Sequence, residues 1–132
     1  MSEKYMIVGD GAREHAIASR LVEEGQKVIS YQTKPNIGLR RICSSNIFGV
    51  NYDAKIIVAS AKSERVNIII PGVEQAIFNG ISDIAENESI FCYAPNTIAA
   101  RLESDKLFAK KIVSETHPSL IIPYISISCP SQ

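Results

Sequence analysis

The chain has no excess of charge of either sign: 14 Lys and Arg residues balance 14 Asp and Glu. That balance leaves no basic field to gather nucleic acid or an anionic membrane surface, so neither is expected as a partner. Long apolar runs are missing as well. The longest are a few residues, too short to span a bilayer, and the opening MSEKY lacks a signal-peptide layout. Cysteine is scarce: Cys43, Cys92 and Cys129 are odd in number, widely separated and without a C-x-x-C pair. This argues for inert free thiols in a reducing, cytoplasmic setting rather than for disulfides or a zinc site. No internal repeat or low-complexity segment occurs.

What is present is ordinary globular material. With 132 residues, 45% of them hydrophobic and 21% charged, the chain fits one domain with a core that needs no staples. Its organising stretch is YMIVGDGAREHA, Tyr5 to Ala16. Met6, Ile7 and Val8 suit a strand covered on both faces. Gly9-Asp10-Gly11 then turns the chain, and Arg13, Glu14 and His15 open a helix whose stripe is Ile17, Ala18, Leu21 and Val22. Strand, glycine turn and helix N-terminus together form an anion-binding arrangement, since free N–H groups and the positive dipole end converge. A dinucleotide fingerprint is not completed. Glu14 stands at the third glycine position of GxGxxG, and Tyr31-Gln32 offers no acidic residue after the second strand, which disfavours an NAD enzyme.

Strands and helices then alternate. Gly25 is a helix stop, and Lys27 to Tyr31 reads as the second strand. Thr33 to Ser45 reads as loop with a short helical turn, its Arg40 and Arg41 facing solvent. Asn46 to Val50 is a candidate third strand, and Asp53 caps a helix to about Lys62 with Ile57, Val58 and Ala61 inward. Val66 to Ile70 is the clearest strand. After Pro71-Gly72, one helix opens at Glu74 with Ile77, Ile81, Ile84 and Ala85 at helical spacing. Ile90 to Tyr93 is a short strand. Thr97 is expected to cap a brief helix, and Ser104 another from Asp105 to about Glu115 with Leu107, Phe108 and Ile112 inward. This order predicts an α/β fold, a Rossmann-like doubly wound parallel sheet. Its strand ends would gather Gly9 to His15, Pro35 to Arg41 and Pro71 to Glu74 on one rim, where ligands of such sheets bind.

GDGAREHA resembles the opening of glycinamide ribonucleotide synthetase (phosphoribosylamine–glycine ligase), G-x-G-G-R-E-H-A, with Ala12 in place of a glycine. If that position needs positive φ, the alanine costs roughly 1 kcal/mol. Lys34 to Gly38 (KPNIG) resembles the family's P-G-N-A-G, keeping Asn36 and Gly38. Pro71 to Ile81 resembles G-P-E-x-P-L-V-x-G-I, keeping Glu74 and Gly80 with a one-residue shift ahead of the glutamate. Ala94 to Lys110 resembles G-P-T-x-x-A-x-x-E-x-S-K-x-F-A-K, with Pro95, Ala99, Glu103, Lys106, Phe108, Ala109 and Lys110 in register.

The resemblance implies an amino-terminal pre-ATP-grasp domain over residues 1–103, with 104–132 the start of the ATP-grasp portion or a truncated tail. The substrate-binding residues it implies are Gly9, Gly11, Arg13, Glu14, His15, Asn36, Gly38, Pro71, Gly72 and Glu74, with Lys106 at the ATP site of an intact member. ATP and magnesium belong to the intact enzyme and are not expected to bind well to this stretch alone, in which no catalytic residue or metal ligand is expected. The implied partners are phosphoribosylamine, or another phosphoribosyl compound, and the remaining ATP-grasp portion. The closing run SLIIPYISISCPSQ fits a truncation, a frameshifted end and a natural short form alike. Each site residue also has a plainer reading: Arg13 as a solvated side chain, Glu14 and Glu74 as dipole-stabilising carboxylates, His15 as a support for the turn, Lys106 as a solvated helix lysine. Two functional readings stay open: a ligase amino-terminal domain without ATP chemistry, and a free-standing nucleotide- or phosphate-binding module.

Overall fold

The computed structural model describes residues 3–127. Five parallel strands, β1 (Lys4–Val8), β2 (Lys27–Gln32), β3 (Ser45–Phe48), β4 (Ile68–Pro71) and β5 (Phe91–Cys92), form one sheet in the order β3-β2-β1-β4-β5. The expected Rossmann-like α/β fold is observed. β1 is central, with Met6 opposite Ile29 of β2 and Ile69 of β4. Alternation along β1 divides the core. Met6 and Val8 join Ile29, Tyr31, Ile57, Val58, Ile69, Ile81 and Ala85 on one face, while Ile7 joins Val28, Ala18 and Leu39 on the other. The second face carries α1 (Ala12–Glu23) and α2 (Ile37–Ile42); the first carries α3 (Ala54–Ser63), α4 (Glu74–Phe78) and α5 (Ile81–Asn87).

Helix ends follow local chemistry. Asp53 caps α3 through the N–H groups of Lys55 and Ile56. Gly25 ends α1 with φ +76°, and Arg65 and Ser89 take the same left-handed position after α3 and α5. The extended segment expected from Val66 begins at Ile68, because the Val66 N–H closes the end of α3 on the Ala61 carbonyl. The Thr33 to Ser45 loop contains α2, capped by Asn36, and Arg40 and Arg41 are exposed on it.

Three expectations are corrected. The helix from Glu74 is two helices, because Gly80 sits at φ +77° and breaks it; the apolar spacing from Ile77 to Ala85 runs straight across the break. Asn96, not Thr97, caps α6 (Thr97–Ser104), and Asp105, not Ser104, caps α7 (Lys106–Thr116). No residue of α7 is buried, and Leu107 is 52% exposed, since this helix packs on α6 and the short turn Pro118–Leu120 rather than on the sheet. The Phe108 ring instead lies under the Arg101 guanidinium, 4.1 Å from centroid to charge centre. Among the described residues no helix is long and apolar enough to cross a membrane. Cys43 and Cys92 are free, and burial pushes the Cys92 thiol up to about 12. Cys129 lies outside the described residues.

Candidate functional site

The loops after β1, β2 and β4 meet at the carboxyl edge of the sheet, and side chains tie them together. Asn36 Nδ2 donates to the carbonyls of Asp10 at 2.9 Å and Gly11 at 3.3 Å, while its Oδ1 caps α2 by accepting from the Leu39 N–H. The Asn36 N–H in turn donates to Oε1 of buried Gln32 at 2.7 Å. Arg13 Nη2 donates to the Gly72 carbonyl, and Glu74 Oε1 lies 3.4 Å from the same nitrogen. The three polar clusters therefore share one rim.

Glu14 lies at the centre of these contacts. Its side chain is buried, its Oε2 accepts from the Gly11 N–H at 2.7 Å, and Arg13 Nε lies 3.3 Å from its Oε1. A Cβ on Gly9 or Gly11 would lie 2.7 Å from Glu14 atoms, and one on Gly72 would lie 2.5 Å from its carboxyl carbon. Each of these glycines therefore leaves space that Glu14 takes. Gly38 does the same for His15, where a Cβ would lie 2.6 Å from the imidazole. Ala12 has no positive φ, so the strain considered for an alanine there does not arise.

The expected residues thus separate by surroundings. Gly9, Gly11, Glu14, His15, Asn36 and Gly38 bind or pack against one another. Arg13, Pro71, Gly72 and Glu74 line a cleft of about 550 Å³ beside β4, floored by Ile17, Ile70 and Ile77. Lys106 is exposed at the first turn of α7 and does not line this cleft.

Sequence reasoning missed two of the lining residues, Tyr93 after β5 and Glu103 on α6. Glu103 was visible within the fourth motif; Tyr93 had no signal of its own. Asp10 was also missed, although it stands between the two glycines. Its Oδ2 accepts from Lys34 N–H at 2.9 Å, Thr33 N–H at 3.3 Å, Thr33 Oγ1 at 3.0 Å and Tyr52 OH at 2.9 Å. Desolvation raises the Asp10 pKa, but these hydrogen bonds outweigh it and hold the group below the ordinary aspartate value. Tyr52 is raised, chiefly by burial.

The family model for the phosphoribosylglycinamide synthetase N domain matches residues 3–103. The chain belongs to this family. Phosphoribosylamine–glycine ligase of Methanopyrus kandleri is 30% identical over 115 residues, covering 85% of this chain and 26% of that protein. Among solved structures, phosphoribosylglycinamide synthetase from Anaerococcus prevotii superposes with a TM-score of 0.71 at 14% identity, over 87% of this chain and 29% of that one. N5-carboxyaminoimidazole synthetase from Staphylococcus aureus complexed with ADP gives 0.69 at 16% identity, over 89% and 31%. The chain therefore spans about a quarter of the curated ligase and shares its fold with purine-biosynthetic ligases.

Proposed function

We propose that this domain forms part of an ATP-dependent ligase joining 5-phosphoribosylamine and glycine in purine biosynthesis, and that it supplies contacts to phosphoribosylamine. The observation that carries this reading is the cleft beside β4. It combines an apolar floor, the Tyr93 ring, the exposed face of Arg13 and the carboxylates of Glu74 and Glu103. Such a lining suits a small aminosugar: a carboxylate receives the amine or a ribose hydroxyl, and the guanidinium receives ribose or phosphate oxygens. Gly9, Gly11, Glu14, His15, Asn36 and Gly38 hold the rim on which those contacts depend. The loss of burial along α7 supports a boundary near residue 103, and the unpaired Cys43 and Cys92 support a cytoplasmic setting.

This reading assigns ATP and magnesium to the ATP-grasp portion. Among the described residues no group of three or more His, Cys, Asp and Glu is placed to hold a metal ion, and Lys106 lies exposed on α7 away from the cleft. The ligation is accordingly assigned to this domain joined to an ATP-grasp portion, its second partner. A free-standing phosphate-binding module has less support, because Glu14 already takes the Gly11 N–H.

An NMR titration with ribose 5-phosphate tests the cleft. Weak, saturable shifts are expected at Glu74 and Tyr93, further weakened by Arg13→Ala in a variant that remains folded. Silence at both positions in the wild type would remove the cleft from the reading.

A further inference from the structure

We propose that Glu14 is a built-in occupant of the β1–α1 turn and bars phosphate groups from the backbone of that turn, so that a phosphorylated ligand is read only by side chains of the cleft. This deepens the reading above by naming what the site refuses, and it rests on that reading only for where the ligand goes.

A glycine turn ahead of a helix offers unpaired N–H groups and the positive end of the helix dipole to an anion. Here the anion is covalently supplied. Glu14 projects from the first turn of α1 back onto Gly11, whose N–H it accepts at 2.7 Å, and its side chain is only 4% exposed. The cradle is made from both sides of the sheet edge. Gly9 and Gly11 come from the β1 loop and Gly72 from the β4 loop, and a methyl group at any of the three would collide with Glu14. Arg13 sets its guanidinium against the carboxylate with Nε at 3.3 Å, supplying the countercharge that a bound phosphate would otherwise claim.

Glu74 and Asp10 place further negative charge at the same rim. A phosphate reaching for Gly11 must therefore displace a buried, paired carboxylate while facing two more. Removing the glutamate's charge removes the first obstacle and leaves Arg13 less neutralised, free to offset the two carboxylates that remain.

The test follows the Gly11 amide by NMR during titration with inorganic phosphate, using Glu74 and Tyr93 as reporters of the cleft. In the wild type, Gly11 stays silent whether or not the cleft reporters move. In Glu14→Gln, which keeps the side-chain volume, Gly11 shifts saturably, and in Glu14→Ala it shifts at lower phosphate concentration. A saturable Gly11 shift in the wild type overturns the proposal, as does a folded Glu14→Gln variant that stays silent. If Glu14→Ala fails to fold, Glu14→Gln decides alone. Silence of the cleft reporters with ribose 5-phosphate counts against the ligand placement and leaves this result independent.

Discussion

A single added methyl group separates glycines that the site needs from glycines that only the backbone needs. At Gly72 a Cβ would lie 2.5 Å from the Glu14 carboxyl carbon, so Gly72→Ala must push a buried carboxylate out of its cradle. We expect a loss of about 2–3 kcal/mol in denaturant unfolding, the range for overpacking a filled site. Gly25 is the control. It has φ +76° and open space around it, so Gly25→Ala should lose only about 1 kcal/mol, from backbone conformation alone. Equal losses at the two positions would show that Glu14 is free to move. Asp10 makes a prediction in pH. Its folded pKa lies below the unfolded value of about 3.9, so its hydrogen bonds stabilise the fold fully above the unfolded value. That contribution fades as pH falls through the folded pKa. Wild type and Asp10→Asn should therefore differ most near neutral pH and converge on acidification. A constant gap across the acid limb would mean that Asp10 does not titrate as its hydrogen bonds require.

At the scale of the element, the chain was legible where pattern and contact agree. Met6 to Val8 reads as a strand buried on both faces and is one, because it lies between β2 and β4. Asp53 reads as a cap and accepts from two N–H groups of the first turn of α3. The failures lie where a distant residue decides. Ile77, Ile81, Ile84 and Ala85 keep helical spacing across Gly80, and only its left-handed φ reveals two helices. Thr97 reads as a cap but donates its hydroxyl and N–H to Asp83 of α5, leaving the cap to Asn96, whose Oδ1 accepts from Ala99 N–H at 2.9 Å. The same reason hid the role of Glu14. A first-turn glutamate reads as a dipole partner, and its burial depends on Gly72, far along the chain. Tyr93 likewise reaches the cleft only through the pairing of β5 with β4. The caps give a direct test: Asn96→Ala should lose about 1 kcal/mol of stability, while Ser104→Ala should lose almost none. The reverse order would restore the caps expected from sequence.

On the proposed reading, the domain supplies one side of a two-part site. Its strand ends gather a cleft with one arginine, two carboxylates and an aromatic ring, which on the proposed reading holds and orients an aminosugar. On that reading, joining the amine to glycine at the expense of ATP demands more: a positioned γ-phosphoryl group, countercharge to neutralise it and a carboxylate held in line. Among the described residues no acidic or His/Cys group could hold a metal ion, and Lys106 stands apart from the cleft. Orientation of one reactant cannot lower the barrier to phosphoryl transfer onto another that is not bound. We therefore expect the 132-residue polypeptide, supplied with ATP, magnesium, glycine and freshly generated phosphoribosylamine, to release no ADP above background in a steady-state assay. Joining it to an ATP-grasp portion of the family, in one chain or as a docked partner, should restore turnover, and Glu74→Ala should then lower kcat/KM for phosphoribosylamine more than for ATP. Sustained ADP release by the polypeptide alone would place phosphoryl transfer within these residues and move the division between substrate domain and catalytic machinery.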